Sequence, residues 1–87
     1  MNREEMFAVV KTNAQIVLEG AKDREIQETN SLRDFGADSL ESVEVISRSM
    51  KELNLKVPRA ELRKLSNIKD LLDLFEKSSL HGSNGNG

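Results

Sequence analysis

The stretch FGADSLESVEVISRSMKEL, Phe35 to Leu53, decides how this chain folds. Within it Val43, Ile46, Met50 and Leu53 recur every three or four residues, which predicts an amphipathic helix from Ser39 to about Leu53. Asp38 is a preferred N-cap residue and Glu41 follows it at capping-box spacing, so Ser39 becomes the first helical residue rather than the cap. On a helical projection of about 100° per residue, Val43, Val45, Ile46, Ser49, Met50 and Leu53 share one broad arc. Leu40 falls on the other side, among Glu44, Ser47 and Lys51. A leucine there is either a docking contact or one of the single exposed leucines common on protein surfaces. Since Asp38 supplies the capping oxygen, capping alone does not explain Ser39, which could also be a nucleophile or an attachment point. Its first-turn position places the hydroxyl near unpaired amides and the positive end of the helix dipole, where a phosphate is favoured.

On the N-terminal side, Met6, Val9, Val10, Ala14, Val17 and Leu18 lie on one face of a helix spanning Asn2 to about Leu18. Asn2 is placed to cap it with Glu5, and Gly20 follows as a C-terminal stop. Residues 21–37, AKDREIQETNSLRDFGA, carry only the scattered apolar residues Ile26, Leu32 and Phe35, which predicts a long loop pinned by three anchors. A short helical turn around Asp23–Glu28 is the alternative for part of it.

On the C-terminal side, Asn54 ends the central helix and Pro58 biases Val57 toward extended backbone. RAELRKL, Arg59 to Leu65, predicts a short helix of about two turns with Ala60, Leu62 and Leu65 as its apolar contacts. A last helix starts near Asn67, capped with Asp70, and aligns Ile68, Leu71, Leu72 and Phe75 before fraying around Ser78. The tail HGSNGNG has no apolar anchor and is expected to be disordered or a remnant of cloning. These elements predict an all-α fold, a small four-helix bundle of three main helices and one short one, with the domain at 1–78 and the tail at 79–87.

At 87 residues the chain accommodates one small core. With three Phe and no Trp or Tyr, that core must be aliphatic. A net charge of −2 with both signs interspersed argues against nucleic acid as a partner. The absence of cysteine excludes a disulfide framework, a thiolate nucleophile and a cysteine zinc site. No apolar run has the length of a membrane span or a signal h-region, so a cytoplasmic location is expected.

Catalytic readings of Ser39 fail on composition. A nucleophile elbow needs glycines on both sides of the serine and a positioned base, whereas Gly36 stands alone and the only histidine, His81, lies in the tail. The carboxylates are scattered among lysines and arginines, which fits a solvated surface better than a metal site. No glycine-rich phosphate cradle is present.

Phe35 to Leu53 resembles the phosphopantetheine-attachment segment of acyl carrier proteins, whose hallmark is Asp-Ser-Leu at the start of the second helix after a Gly-Ala or similar pair. Asp38, Ser39 and Leu40 carry the hallmark, Gly36 and Ala37 the preceding pair, and the order of helices matches over about residues 3–78. The resemblance implies that a phosphopantetheinyl transferase esterifies Ser39 with 4′-phosphopantetheine from coenzyme A. The thiol of that arm then holds acyl groups as thioesters, so the protein would be a carrier, monomeric, and not an enzyme. The bundle would shelter the cargo among residues such as Val43, Ile46 and Leu62.

Arg48 and Lys51 in the second helix, and Arg59, Arg63 and Lys64 in the short one, depart from the strongly acidic surface usual in fatty-acid carriers. This departure points to a discrete carrier of a polyketide pathway, and MKELNLKVPRAEL to the stand-alone carriers of β-branching cassettes. Acyltransferases, ketosynthases or related enzymes would then be the partners, contacting Leu40, Val43, Glu44, Arg48 and Arg63. A fatty-acid, aminoacyl or D-alanyl carrier is the alternative within the family, and an unmodified helical interaction module is the alternative outside it.

Overall fold

The computed structural model describes the backbone of residues 2–85 and the side chains of residues 2–79; Met1 and the tail residues 86–87 lie outside the described residues. The chain forms α1 (Arg3–Val17), α2 (Ser39–Leu53), α3 (Arg59–Leu62) and α4 (Ile68–Gly85), with 3₁₀ turns at Glu19–Ala21 and Leu32–Phe35 in the first loop. No strand occurs among the described residues.

Helix α1 begins at a reciprocal cap. The Asn2 side chain accepts the Glu5 N–H at 2.8 Å, and the Glu5 carboxylate accepts the Asn2 N–H at 3.2 Å. It ends where Leu18 turns extended, at φ −106° and ψ 118°. Gly20 is therefore not a left-handed stop, since among the described residues positive φ occurs only at Gly36 and Asn54. Its role is steric: a Cβ at Gly20 would collide with the carbonyl oxygen of Phe35. Glycine lets the start and end of the long loop touch.

Ile26, Leu32 and Phe35 are buried as loop anchors, joined by Ala21 and Ala37. The helical turn in the loop falls at Leu32–Phe35 rather than at 23–28, because Ser31 and Asp34 cap it and Gly36, at φ 86°, closes it. The loop also completes α4. The carbonyls of Asn30 and Glu28 accept the N–H groups of Ile68 and Lys69 at 2.9 and 2.8 Å, satisfying donors that a helix start leaves open. Arg3 fastens the same junction from α1, reaching Glu28 at 2.7 Å, Asp73 at 2.9 Å and Glu76 at 2.6 Å.

The core is aliphatic with two phenylalanines. Met6, Val10, Ala14 and Leu18 of the α1 stripe meet Val45 and Ile46 of α2 and Ile68, Leu71, Leu72 and Phe75 of α4. Each Val, Leu, Ile, Met or Phe among them contributes about 1.5–3 kcal/mol when fully buried.

Helix α3 is shorter than its sequence suggests. After Leu62 the amides of Lys64 and Leu65 bond three residues back, to Glu61 and Leu62, so the segment tightens into a turn instead of completing a second helical turn. Leu62 and Leu65 pack against the core, but Ala60 is exposed. Helix α4 continues to Gly85, past the fraying expected at Ser78 and through most of the tail expected to be disordered. No proline or positive-φ residue stops its backbone, and weak helix formers such as Ser, Asn and Gly lower helix stability without forbidding the i→i−4 bonds.

Candidate functional site

The structure builds the Ser39 region from a reversal, a tuck and a cap. Gly36 reverses the chain in the left-handed region, where a side chain would be strained. Ala37 then turns inward, buried, with its N–H on the carbonyl of Leu32 at 3.3 Å. Asp38 is extended, at φ −91° and ψ −175°, and its carboxylate accepts the Glu41 N–H at 2.8 Å. The Glu41 carboxylate accepts the Asp38 N–H at 3.1 Å, and the Asp38 carbonyl takes the Ser42 N–H at 2.9 Å.

Two first-turn donors remain. The N–H groups of Ser39 and Leu40 have no partner among the described residues, and the Ser39 hydroxyl is exposed and makes no hydrogen bond there either. Leu40 is 81% exposed, so it is not part of the core. The turn leading into the cap is held firmly. Asp34 accepts from the Ser31 backbone N–H and the Asn30 side chain, in that order of effect, and these bonds hold its carboxyl below the ordinary range. Arg24 stacks over the Phe35 ring at 4.9 Å and donates to the Asp34 carbonyl at 3.2 Å.

Ser39 stands at the edge of a groove of about 840 Å³ between α2 and the segment containing α3. Ser42, Val43, Ile46 and Met50 line the α2 side, while Val57, Leu62 and Leu65 line the opposite side. The buried Leu32, Ile68 and Leu71 also line it, and its polar lining is Arg33, Arg59 and Arg63 with several serines and Asn67, with no carboxylate among the described lining residues. Val43 is consequently 40% exposed rather than core. A one-turn α3 leaves that stretch of α2 uncovered.

Of the residues singled out in the sequence, Ser39, Val43, Ile46, Leu62 and Arg63 line this one groove. Glu44 and Arg48 do not. They pair with each other at 3.8 Å, and the Arg48 Nε donates to Asn13 Oδ1 at 3.3 Å across the α1–α2 junction. There Asn13 is buried, and its amide donates to Val9 O at 3.0 Å, Ser49 Oγ at 3.3 Å and Glu52 Oε1 at 3.2 Å. Ser49 donates back to Val45 O at 2.8 Å, so its place in the apolar arc is a hydrogen-bonded one. A smaller depression of about 360 Å³ lies beside this cluster.

Arg33, Arg59, Ser42 and Met50 also line the groove but had not been singled out as site residues. Met50 belongs to the same α2 stripe as Val43 and Ile46 and Ser42 to the same helix, whereas Arg33 and Arg59 come from separate segments that no periodicity links to it; only the basic character of the α3 segment hinted at Arg59. Among the described residues there is no cluster able to hold a metal ion, and no helix is long and apolar enough to cross a membrane.

The residues present fit a phosphodiester arm. An accessible hydroxyl, two open amides beside it at a helix N-terminus, and an adjoining groove with apolar walls supply an attachment point, an anion cradle and a place for an acyl chain.

Comparison with known proteins agrees with this geometry. Residues 16–75 match the family model described as a phosphopantetheine attachment site. The chain is 33% identical over 78 residues to the polyketide biosynthesis acyl-carrier-protein AcpK of Bacillus subtilis (strain 168), covering 88% of this chain and 95% of that protein. It is 33% identical over 76 residues to an acyl carrier protein of Thermotoga maritima, covering 87% and 94% respectively. Among solved structures it is similar to a chain in the crystal structure of the curacin biosynthetic pathway HMG synthase in complex with an acetyl donor carrier, with a TM-score of 0.77, 33% identity and coverage of 86% of this chain and 96% of that one. With the attachment model spanning most of the chain and relatives matched over nearly their whole length, the chain belongs to the acyl carrier proteins, the family whose members carry a covalently attached 4′-phosphopantetheine.

Proposed function

We propose that Ser39 bears the arm and that the protein presents acyl groups to the enzymes of a polyketide pathway, acting as a carrier rather than a catalyst. The observation that carries this reading is the exposed, unengaged hydroxyl on the first turn of a capped α2, beside two open amides and at the edge of the groove. When bound, the arm supplies a thiol that holds the acyl group as a thioester, chemistry for which the chain has no cysteine of its own. The Ser39 hydroxyl would displace adenosine 3′,5′-bisphosphate from coenzyme A and so carry the arm as a phosphodiester, the open Ser39 and Leu40 amides would receive its charge, and Asp38 keeps the helix start in place.

The polyketide assignment is supported by the Bacillus subtilis relative, by the carrier seen with the curacin HMG synthase, and by the mixed charge of α2 and α3. The carrier seen with the curacin HMG synthase favours an HMG-synthase-like enzyme among the partners, in keeping with the stand-alone β-branching carriers that MKELNLKVPRAEL resembles. The partner-facing surface is Leu40, Val43 and Arg63 near the groove, with Glu44 and Arg48 on the adjoining side of α2. If Glu44→Lys or Arg48→Glu leaves transfer kinetics with the cognate enzyme untouched, that residue is not in the interface.

The test of the carrier role is direct. The protein is incubated with coenzyme A and a broad-specificity phosphopantetheinyl transferase and weighed intact. A mass gain equal to the arm, lost in Ser39→Ala, is expected; no gain, or a gain retained by the variant, overturns the reading. Shelter in the groove predicts that amide signals of Val43, Ile46 and Leu62 move as the attached acyl chain is lengthened, and unchanged signals would exclude it.

A further inference from the structure

The arginines divide into two sets. Arg3 meets three carboxylates, Arg48 meets Glu44 and Asn13, and Arg24 stacks on Phe35 while donating to the Asp34 carbonyl. Among the described residues, Arg33, Arg59 and Arg63 form no ion pair with a carboxylate, and all three line the groove that adjoins Ser39. In a chain whose net charge is −2, the groove gathers three guanidinium groups and no described acidic residue.

All three are exposed, so solvent screens their mutual repulsion, but with no carboxylate among the described lining residues they leave the groove with an uncompensated positive potential. An anion relieves it. The arm's phosphodiester is one candidate, but attachment at Ser39 places it at the first turn of α2, where the Ser39 and Leu40 amides can receive it. The arginines come from elsewhere, Arg33 from the first loop and Arg59 and Arg63 from the α3 segment, one helical turn apart. The same groove is lined by Val43, Ile46 and Leu62, apolar side chains suited to methylene groups.

We propose, building on the carrier reading of Ser39, that this groove selects acyl groups ending in a free carboxylate. Val43, Ile46 and Leu62 take the hydrocarbon portion while Arg33, Arg59 and Arg63 receive the terminal carboxylate. Guanidinium suits that role because its donors match a carboxylate in pairs and it stays charged at every physiological pH. An exposed pair of this kind is weak between free molecules. Tethering changes the balance, since an arm on Ser39 holds the carboxylate near the arginines at an effective concentration on the order of millimolar.

The test compares three forms made by one transferase: the arm alone from coenzyme A, a butyryl form from butyryl-coenzyme A, and a succinyl form from succinyl-coenzyme A. Butyryl and succinyl have the same number of carbons and differ in the terminal carboxylate. The readout is the guanidinium Nε–H signals in ¹⁵N-correlated NMR spectra. The Arg33, Arg59 and Arg63 signals are expected to shift in the succinyl form relative to both others, with Arg3, Arg24 and Arg48 unmoved and the shift shrinking at high salt. In Arg59→Gln carrying the succinyl group, the Arg33 and Arg63 shifts are expected to diminish.

Equal signals in the butyryl and succinyl forms would overturn the proposal and leave the arginines to an acidic partner surface. A full shift already present with the arm alone would overturn it in favour of the phosphodiester. Both results leave the carrier reading intact, whereas failure of every form to gain mass removes the carrier reading and this inference together.

Discussion

At the level of single residues, local chemistry and distant contacts divide the chain. The roles of Asp38 and Glu41 were legible because a capping box is written in four consecutive residues, and the observed bonds of 2.8 and 3.1 Å join the pair the sequence indicates. Asp38→Ala should lower stability by about 1 kcal/mol in urea unfolding, the usual cost of losing such a cap. Gly20 shows the opposite case. Its position after the α1 stripe suggested a helix stop, but its reason to be glycine is the Phe35 carbonyl, a contact across the loop that spacing does not encode. Gly20→Ala should therefore destabilise the fold by about 1–3 kcal/mol through steric overlap, although alanine is the better helix former. A neutral or stabilising result in the same unfolding experiment would contradict that contact.

Elements were legible where an apolar stripe runs through them, whereas the end of α4, which extends to Gly85 through a tail without one, was not. Helix α2 spans Ser39–Leu53 as its apolar spacing predicts, and the stripe Ile68, Leu71, Leu72 and Phe75 of α4 is buried throughout. Truncating its fully buried phenylalanine, Phe75→Ala, should cost about 3–5 kcal/mol by chemical denaturation. Helix α3 was legible only as a location, because one turn of helix has too few residues to show a period and its end depends on where Leu62 and Leu65 meet the core. The long first loop was legible by its anchors but not by its function in the fold. Its carbonyls at Glu28 and Asn30 cap α4. Amide hydrogen exchange checks this: the Ile68 and Lys69 N–H groups should be protected although they lie in the first turn, and exchange as fast as an open helix start would refute the docking.

Across the whole molecule, what the sequence leaves unstated is how separate segments share one space. The groove assembles Ser39 and Val43 from α2 with Arg33 from the loop and Arg63 from the segment beyond α3, so no linear motif announces it. The Arg3 junction is equally non-local, and it makes stability depend on pH. The carboxyl of Glu28 is held below its ordinary value chiefly by Arg3, that of Asp73 first by Lys69 and then by Arg3, and that of Asp34 by the Ser31 backbone. Because these groups release protons more readily in the folded chain, their stabilisation is complete above the ordinary carboxylate range near about pH 4. It is lost as pH falls through their lower folded values. The thermal midpoint should thus fall on acidification below that range, and Arg3→Gln should flatten the decline; an unchanged profile in that variant would show that the junction does not carry it.

The central claim is that one hydroxyl, that of Ser39, bears the arm. The most direct measurement loads the folded protein from coenzyme A, digests it with trypsin and fragments the peptide Asp34–Arg48, which contains Ser39, Ser42 and Ser47 together. The account predicts the whole added mass on Ser39. An unmodified peptide, or an arm on Ser42 or Ser47, would contradict it.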